Sequence, residues 1–202
     1  MTTTHKDFYY TIDNFSTAEF KDRGSKFIGI GFPISTIDDF KKQLQVIKKE
    51  HPKAVHHCFA YRLGTDNTVF RSSDDGEPAG TAGKPILGQL DSKEIINAAI
   101  VVIRYFGGTL LGVPGLINAY KTTAALTLQV TPILQKQIEK VHQLQFNYTQ
   151  INEVLTILKQ YNCSIIKQDM QLFCNLTTGI PLHRYNETMF KIKEMYGVEV
   201  VS

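Results

Sequence analysis

Three carboxylates, Asp74, Asp75 and Glu77, fall within one short stretch of this 202-residue chain. Hard cations take oxygen ligands, and crowded carboxylates can separate their pKa values, so the trio is a candidate Mg²⁺ site or acid–base group. The same residues also suit a plain turn, because Ser, Asp and Gly hydrogen-bond their own backbone and initiate loops. Directly after them come Gly80, Thr81, Gly83 and Lys84, and a second small-residue run follows at Arg104, Tyr105, Gly107 and Gly108. Glycines there leave main-chain N–H groups approachable, while Arg71, Lys84, Arg104 and Lys121 bring positive charge. These residues form a candidate surface for an anionic or backbone-rich partner.

Familiar catalytic templates do not fit. The run from Gly107 to Gly112 mimics the start of a P-loop, but Val113 and Pro114 stand where Lys and Ser/Thr must be. No GxSxG elbow occurs, and Ser72, Ser73, Thr81 and Thr109 have no base beside them in sequence. His56 and His57 are adjacent in an expected strand, so they point to opposite faces and cannot chelate one metal together. Cys58, Cys163 and Cys174 lack CxxC spacing and read as reduced, buried thiols. Neither a metal nor a cofactor is expected. Arg104 ends a strongly apolar run, where a charge needs a partner; a salt bridge to Asp74, Asp75 or Glu77 and a ligand phosphate are the two options. Tyr61, Tyr105 and Phe106 can either stack on bases or pack in the core.

The elements that must carry these residues are partly legible. Residues 27–33 read as a first strand, and Ser35 or Thr36 caps a helix that His51-Pro52 stops. Residues 55–63 and 68–72 form a hairpin around 64–67. Asp91 or Ser92 caps a short helix ending near Ala99, residues 100–103 are a buried strand, and Pro114-Gly115 opens a helix from Leu116 to about Leu128. Thr131-Pro132 marks the domain boundary, dividing 1–131 from 132–202. Beyond it, a strand with Leu144, Phe146 and Tyr148, a helix capped by Asn152, strands at 164–167 and 172–176, a helix from Leu182 to Tyr196 and a strand at 198–201 give the order βαββαβ. The fold class is therefore α+β, with a C-terminal ferredoxin-like sandwich.

Composition excludes little. A net charge of +3 is far from that of a tail-driven nucleic-acid binder, so binding of that kind needs a local patch. The polar start of the chain and the interrupted apolar run at 95–103 argue against a signal core or a membrane span, and a cytoplasmic location is expected.

The paired segments from Asp74 to Pro85 and from Val102 to Gly112 closely resemble the signature of the YigZ/IMPACT family. The resemblance covers the whole chain, with an Impact-type N-terminal domain followed by the small C-terminal domain of bacterial-type members. It implies a first domain similar to domain IV of elongation factor G and a second similar to domain V. It also implies a translation-associated regulatory protein whose partner is RNA, the ribosome or a ribosome-linked protein. On that reading Arg71, Gly80, Thr81, Gly83, Lys84, Arg104, Tyr105, Gly107, Gly108 and Lys121 meet the partner. Two other readings stay open: an enzyme for a phosphorylated or nucleotide-like small molecule using Asp74, Asp75 and Glu77, and an interaction module whose signature is purely structural. The oligomeric state is not legible.

Overall fold

The β-branched run at the centre of the chain becomes the centre of a sheet. In the computed structural model, which describes residues 7–65 and 68–201, strand β6 (Ala98–Tyr105) is buried along almost its whole length. It lies between β3 (Ser25–Pro33) and β4 (His56–Leu63), with β2 (Ser16–Asp22) and β5 (Val69–Ser73) at the edges, in the order β2-β3-β6-β4-β5. Neighbouring strands are antiparallel throughout. Because side chains alternate across a strand, β6 feeds two cores. Ile100 and Val102 join Phe27, Cys58, Ala60, Leu116 and Tyr120 beneath helices α2 (Gly83–Ser92) and α3 (Gly112–Val130). Val101 and Ile103 join Phe32, Phe40, Phe59 and Tyr61 beneath α1 (Ile37–Glu50). Full burial of each large apolar side chain contributes about 1.5–3 kcal/mol.

Local chemistry explains the helix positions. Of the two expected caps, Thr36 serves α1, accepting from the Asp39 amide at 3.0 Å while the Asp39 carboxylate takes the Thr36 N–H at 2.9 Å. Helix α3 packs closely on the sheet because Gly29 has no side chain; a Cβ there would lie 2.1 Å from Thr127 Oγ1. The helix expected to run from Asp91 or Ser92 to near Ala99 is not there. Helix α2 occupies the glycine-rich segment instead and ends at Ser92, with Ile86 and Leu90 buried one turn apart. Glu94 and Asn97, both with positive φ, end any helical course, and β6 begins at Ala98. Strands β1 (Phe8–Ile12) and β7 (Ile133–Gln137), which pair as a two-stranded ribbon, and β2 have no counterpart in the sequence reading. The expected hairpin forms from β4 and β5, but positions 66 and 67 of its turn lie outside the described residues.

The compact unit carrying the large sheet is Tyr9–Lys136. Its end falls after Thr131-Pro132 because β7 pairs back onto β1.

A second unit comprises residues 137–201 with Asp7 and Phe8 among the described residues. Its elements are β8 (Glu139–Asn147), α4 (Ile151–Gln160), β9 (Ser164–Met170), β10 (Phe173–Pro181), α5 (Tyr185–Glu194) and β11 (Val198–Val200). The sheet order β11-β8-β10-β9 is that of the split βαβ, ferredoxin-like sandwich. Leu144, Phe146, Val154, Leu158, Leu176 and Ile192 fill its core. Asn152 lies inside α4 and is not its cap. A short 3₁₀ turn, Tyr148–Gln150, precedes the helix, held by Gln150 Oε1 on the Asn147 amide at 2.9 Å. Tyr148 therefore leaves the strand and is exposed. A similar turn, Leu182–Arg184, delays α5. All three cysteines are free thiols. Among the described residues, no helix is long and apolar enough to cross a membrane.

Candidate functional site

The three signature carboxylates turn to three different partners. Asp74 follows β5 and caps α2 from a distance: Oδ1 accepts the N–H groups of Ala82 at 2.9 Å and Gly83 at 2.8 Å, and Oδ2 that of Gly80 at 2.9 Å. Burial alone would raise its pKa, but these three donors outweigh burial and hold it below the usual carboxylate value. Asp75, at φ +43°, accepts the His57 N–H at 2.7 Å and lies 3.4 Å from Lys48 Nζ. Glu77 is buried and accepts from Arg104 Nη1 and from the Tyr120 hydroxyl, each at 2.7 Å. No group of three or more metal-ligating side chains forms among the described residues.

Strand register sets the Arg104 environment. Arg104 follows Ile100 and Val102 on the face covered by α2 and α3, and its cross-strand neighbours are Phe27 and His56. Its guanidinium carbon lies 5.5 Å from the Phe27 ring centroid and 5.6 Å from that of Phe106. Of the two sequence options for Arg104, the structure forms the salt bridge, to Glu77. Tyr120 reaches the same carboxylate from α3, and burial drives its phenol pKa strongly up. Cys58, also pushed up to about 12 by burial, donates from Sγ to the Asp74 carbonyl at 3.0 Å. Neither behaves as an activated nucleophile.

Tyr105 points to the opposite face, where its hydroxyl meets His51 Nδ1 at 2.9 Å at the end of α1. Tyr61, considered for base stacking, is instead 3% exposed inside the second core. His57 is likewise enclosed, and burial lowers its pKa. Thr81 is buried and donates to the Pro78 carbonyl at 2.7 Å. Gly107 lies against the β2–β3 turn, where a Cβ would come within 1.9 Å of Gly24 backbone, while Gly108 has φ +85° and open space around it. Arg71 is exposed on the edge strand β5.

Two concave sites result. One is an open cleft of about 740 Å³ between α2 and α3 that brings together Gly80, Lys84 and Lys121 with Gly88, Gln89 and Ile117. No carboxylate lines it, and neither lysine has an ion-pair partner among the described residues. The other is a cavity of about 420 Å³ floored by His56, Glu77 and Arg104 and walled by apolar side chains of the 106–116 segment. Sequence reasoning missed Tyr120 as a partner of Glu77. Its signal was available: a hydroxyl on the apolar stripe of a helix needs a buried acceptor.

A signature loop capped by its own Asp74, an internal Glu77–Arg104 pair and a ferredoxin-like second unit together define a recognisable class. Residues 23–128 match the Impact N-terminal domain. The chain belongs to the IMPACT family. It is 35% identical over 172 residues to the IMPACT family member YigZ of Escherichia coli, covering 84% of each chain. It is 32% identical over 152 residues to the family member YvyE of Bacillus subtilis, covering 75% of this chain and 70% of that one. A solved structure, described as that of a hypothetical protein, superposes with a TM-score of 0.74 at 30% identity, covering 98% of both chains.

Proposed function

We propose that this chain is a translation-associated regulatory protein that binds RNA, with the cleft between α2 and α3 as its contact surface. The observation that carries the reading is the pairing of Lys84 and Lys121 across a groove with no acidic side chain in its lining. Gly88 strengthens it, because a Cβ at that position would meet nothing within 4 Å, so a sugar–phosphate chain can approach the helix closely. Phosphates supply most of the affinity in such contacts, and lysines meet them as mobile point charges. Family membership supports the link to translation. Gly80 lines the groove and Gly83 lies outside it; neither offers a free amide, since Asp74 already holds both N–H groups. Arg104 is spent internally and stands outside the contact set.

The test is binding of a fluorescently labelled structured RNA, and of ribosomal subunits, across a salt series. Lys84→Glu with Lys121→Glu abolishes binding near physiological salt if the cleft is the contact surface. Undiminished binding by that double variant overturns the placement. Absence of any binding at low salt, where phosphate contacts are strongest, overturns the function.

A further inference from the structure

The second cavity is built differently from the cleft and suits a different ligand. Its floor is made of His56, Glu77 and Arg104, and its walls include Val55, Phe106, Leu110 and Val113. Volumes of this size suit small organic molecules. Polar groups on the floor are specifically arranged. His56 Nδ1 lies 2.7 Å from the Asp75 carbonyl oxygen, which can only accept, so Nδ1 carries the hydrogen. In that tautomer Nε2 is the acceptor, 3.9 Å from Glu77 Oε1 and too far for a direct hydrogen bond. Gly76 leaves room for the ring, since a Cβ there would lie 3.3 Å from His56 Nδ1. Arg104 is 5% exposed and engages Glu77 through Nη1; its Nε is sealed off without a partner, and Nη2, which has no hydrogen bond among the described residues, is the donor left for a ligand. The floor thus offers an acceptor on His56, a guanidinium with unspent donor capacity, and a carboxylate that cancels the guanidinium charge.

We infer that this cavity binds a neutral aromatic alcohol: a ring seated against Phe106, with a hydroxyl that donates to His56 Nε2 and accepts from Arg104. Each alternative head group fails on one count. A carboxylate faces Glu77, an ammonium faces Arg104, and a purely apolar head leaves His56 Nε2 and the remaining donors of Arg104 unsatisfied. A ring against Phe106 gains offset stacking in addition to apolar burial. The same chemistry is presented by a free phenol and by a tyrosyl side chain of a partner protein.

The experiment is a titration of the full chain, followed by NMR, with phenol, toluene, benzoate, benzylamine and N-acetyltyrosinamide. Phenol is expected to give a saturable shift of the His56 ring and to bind about tenfold more tightly than toluene, benzoate or benzylamine. Toluene binding as well as phenol, benzoate or benzylamine binding better, or no saturable shift with phenol, overturns the inference. N-acetyltyrosinamide binding more tightly than phenol identifies a protein side chain as the source; binding more weakly identifies a free small molecule. Val113, half-exposed on the rim, supplies a second arm that spares the buried network. Val113→Trp is expected to block phenol with an unchanged melting temperature and unchanged RNA binding. Phenol binding that survives this substitution places the site elsewhere and also overturns the inference.

Discussion

The cleft and the cavity share one loop and differ in where its charges are spent. In the cleft, Lys84 and Lys121 keep their charges toward solvent, on flexible stems and among small residues. In the cavity, the buried Arg104 and Glu77 side chains cancel one another, and Tyr120 donates a second hydrogen bond to the same carboxylate oxygen. The difference lies in residue type as much as in location. A planar guanidinium tolerates burial beside aromatic rings and a carboxylate, whereas a strongly hydrated ammonium belongs where a phosphate can come and go. The candidate cations therefore divide: Arg104 is spent in an internal pair, while Lys84, Lys121 and the edge-strand Arg71 stay exposed.

The largest effect separating the two regions is expected from Arg104→Ala. Removing the guanidinium strands Glu77 as a buried charge, and stability falls by about 3–5 kcal/mol. Chemical denaturation measures this. A loss under about 1 kcal/mol breaks the contrast, because it makes Arg104 resemble a surface cation.

Asp74 gives an intermediate effect and a pH signature. Its folded-state pKa is lowered by the Gly80, Gly83 and Ala82 amides against the opposing effect of burial. Its contribution is therefore fully present above the ordinary carboxylate value and lost as pH falls through the lowered one. Asp74→Asn costs about 1 kcal/mol at neutral pH, as for a lost helix cap, and flattens the acid limb of the stability curve. Parallel acid limbs for variant and parent exclude Asp74 as its source.

The smallest stability effect belongs to the cleft. Lys84→Ala and Lys121→Ala each change stability by less than about 0.5 kcal/mol, as exposed positions do. Each nevertheless lowers the salt dependence of RNA binding by about one phosphate contact. A melt shifted as far as that of Arg104→Ala assigns these lysines to the fold and removes the distinction.

What could be read in advance followed from local pattern. Ser35 or Thr36 announces α1, the run at 100–103 announces the central strand, and the βαββαβ order of the second unit follows from periodicity with helix start and stop signals. Helix α2 was hidden because its N-cap is Ala82, which has no capping side chain; the carboxylate that serves the helix end comes from Asp74, beyond the turn. Without α2 in place the cleft had no second wall, so Lys84 and Lys121 were named individually but not as facing residues. The fates of Arg104 and Tyr105 needed the register of β6, which assigns adjacent residues to opposite sides. Strands β1 and β7 depend on non-local pairing and leave little mark on periodicity.

At the end of β6, Arg104 fastens the sheet to the α2–α3 layer, and Tyr105, one peptide later, fastens it to the end of α1. The strand end acts as a crossbar between the two helical layers. Any rotation of that peptide plane that withdraws one side chain from its layer withdraws the other as well. A backbone shift at this point therefore reaches both faces of the domain, whereas a side-chain substitution releases only one.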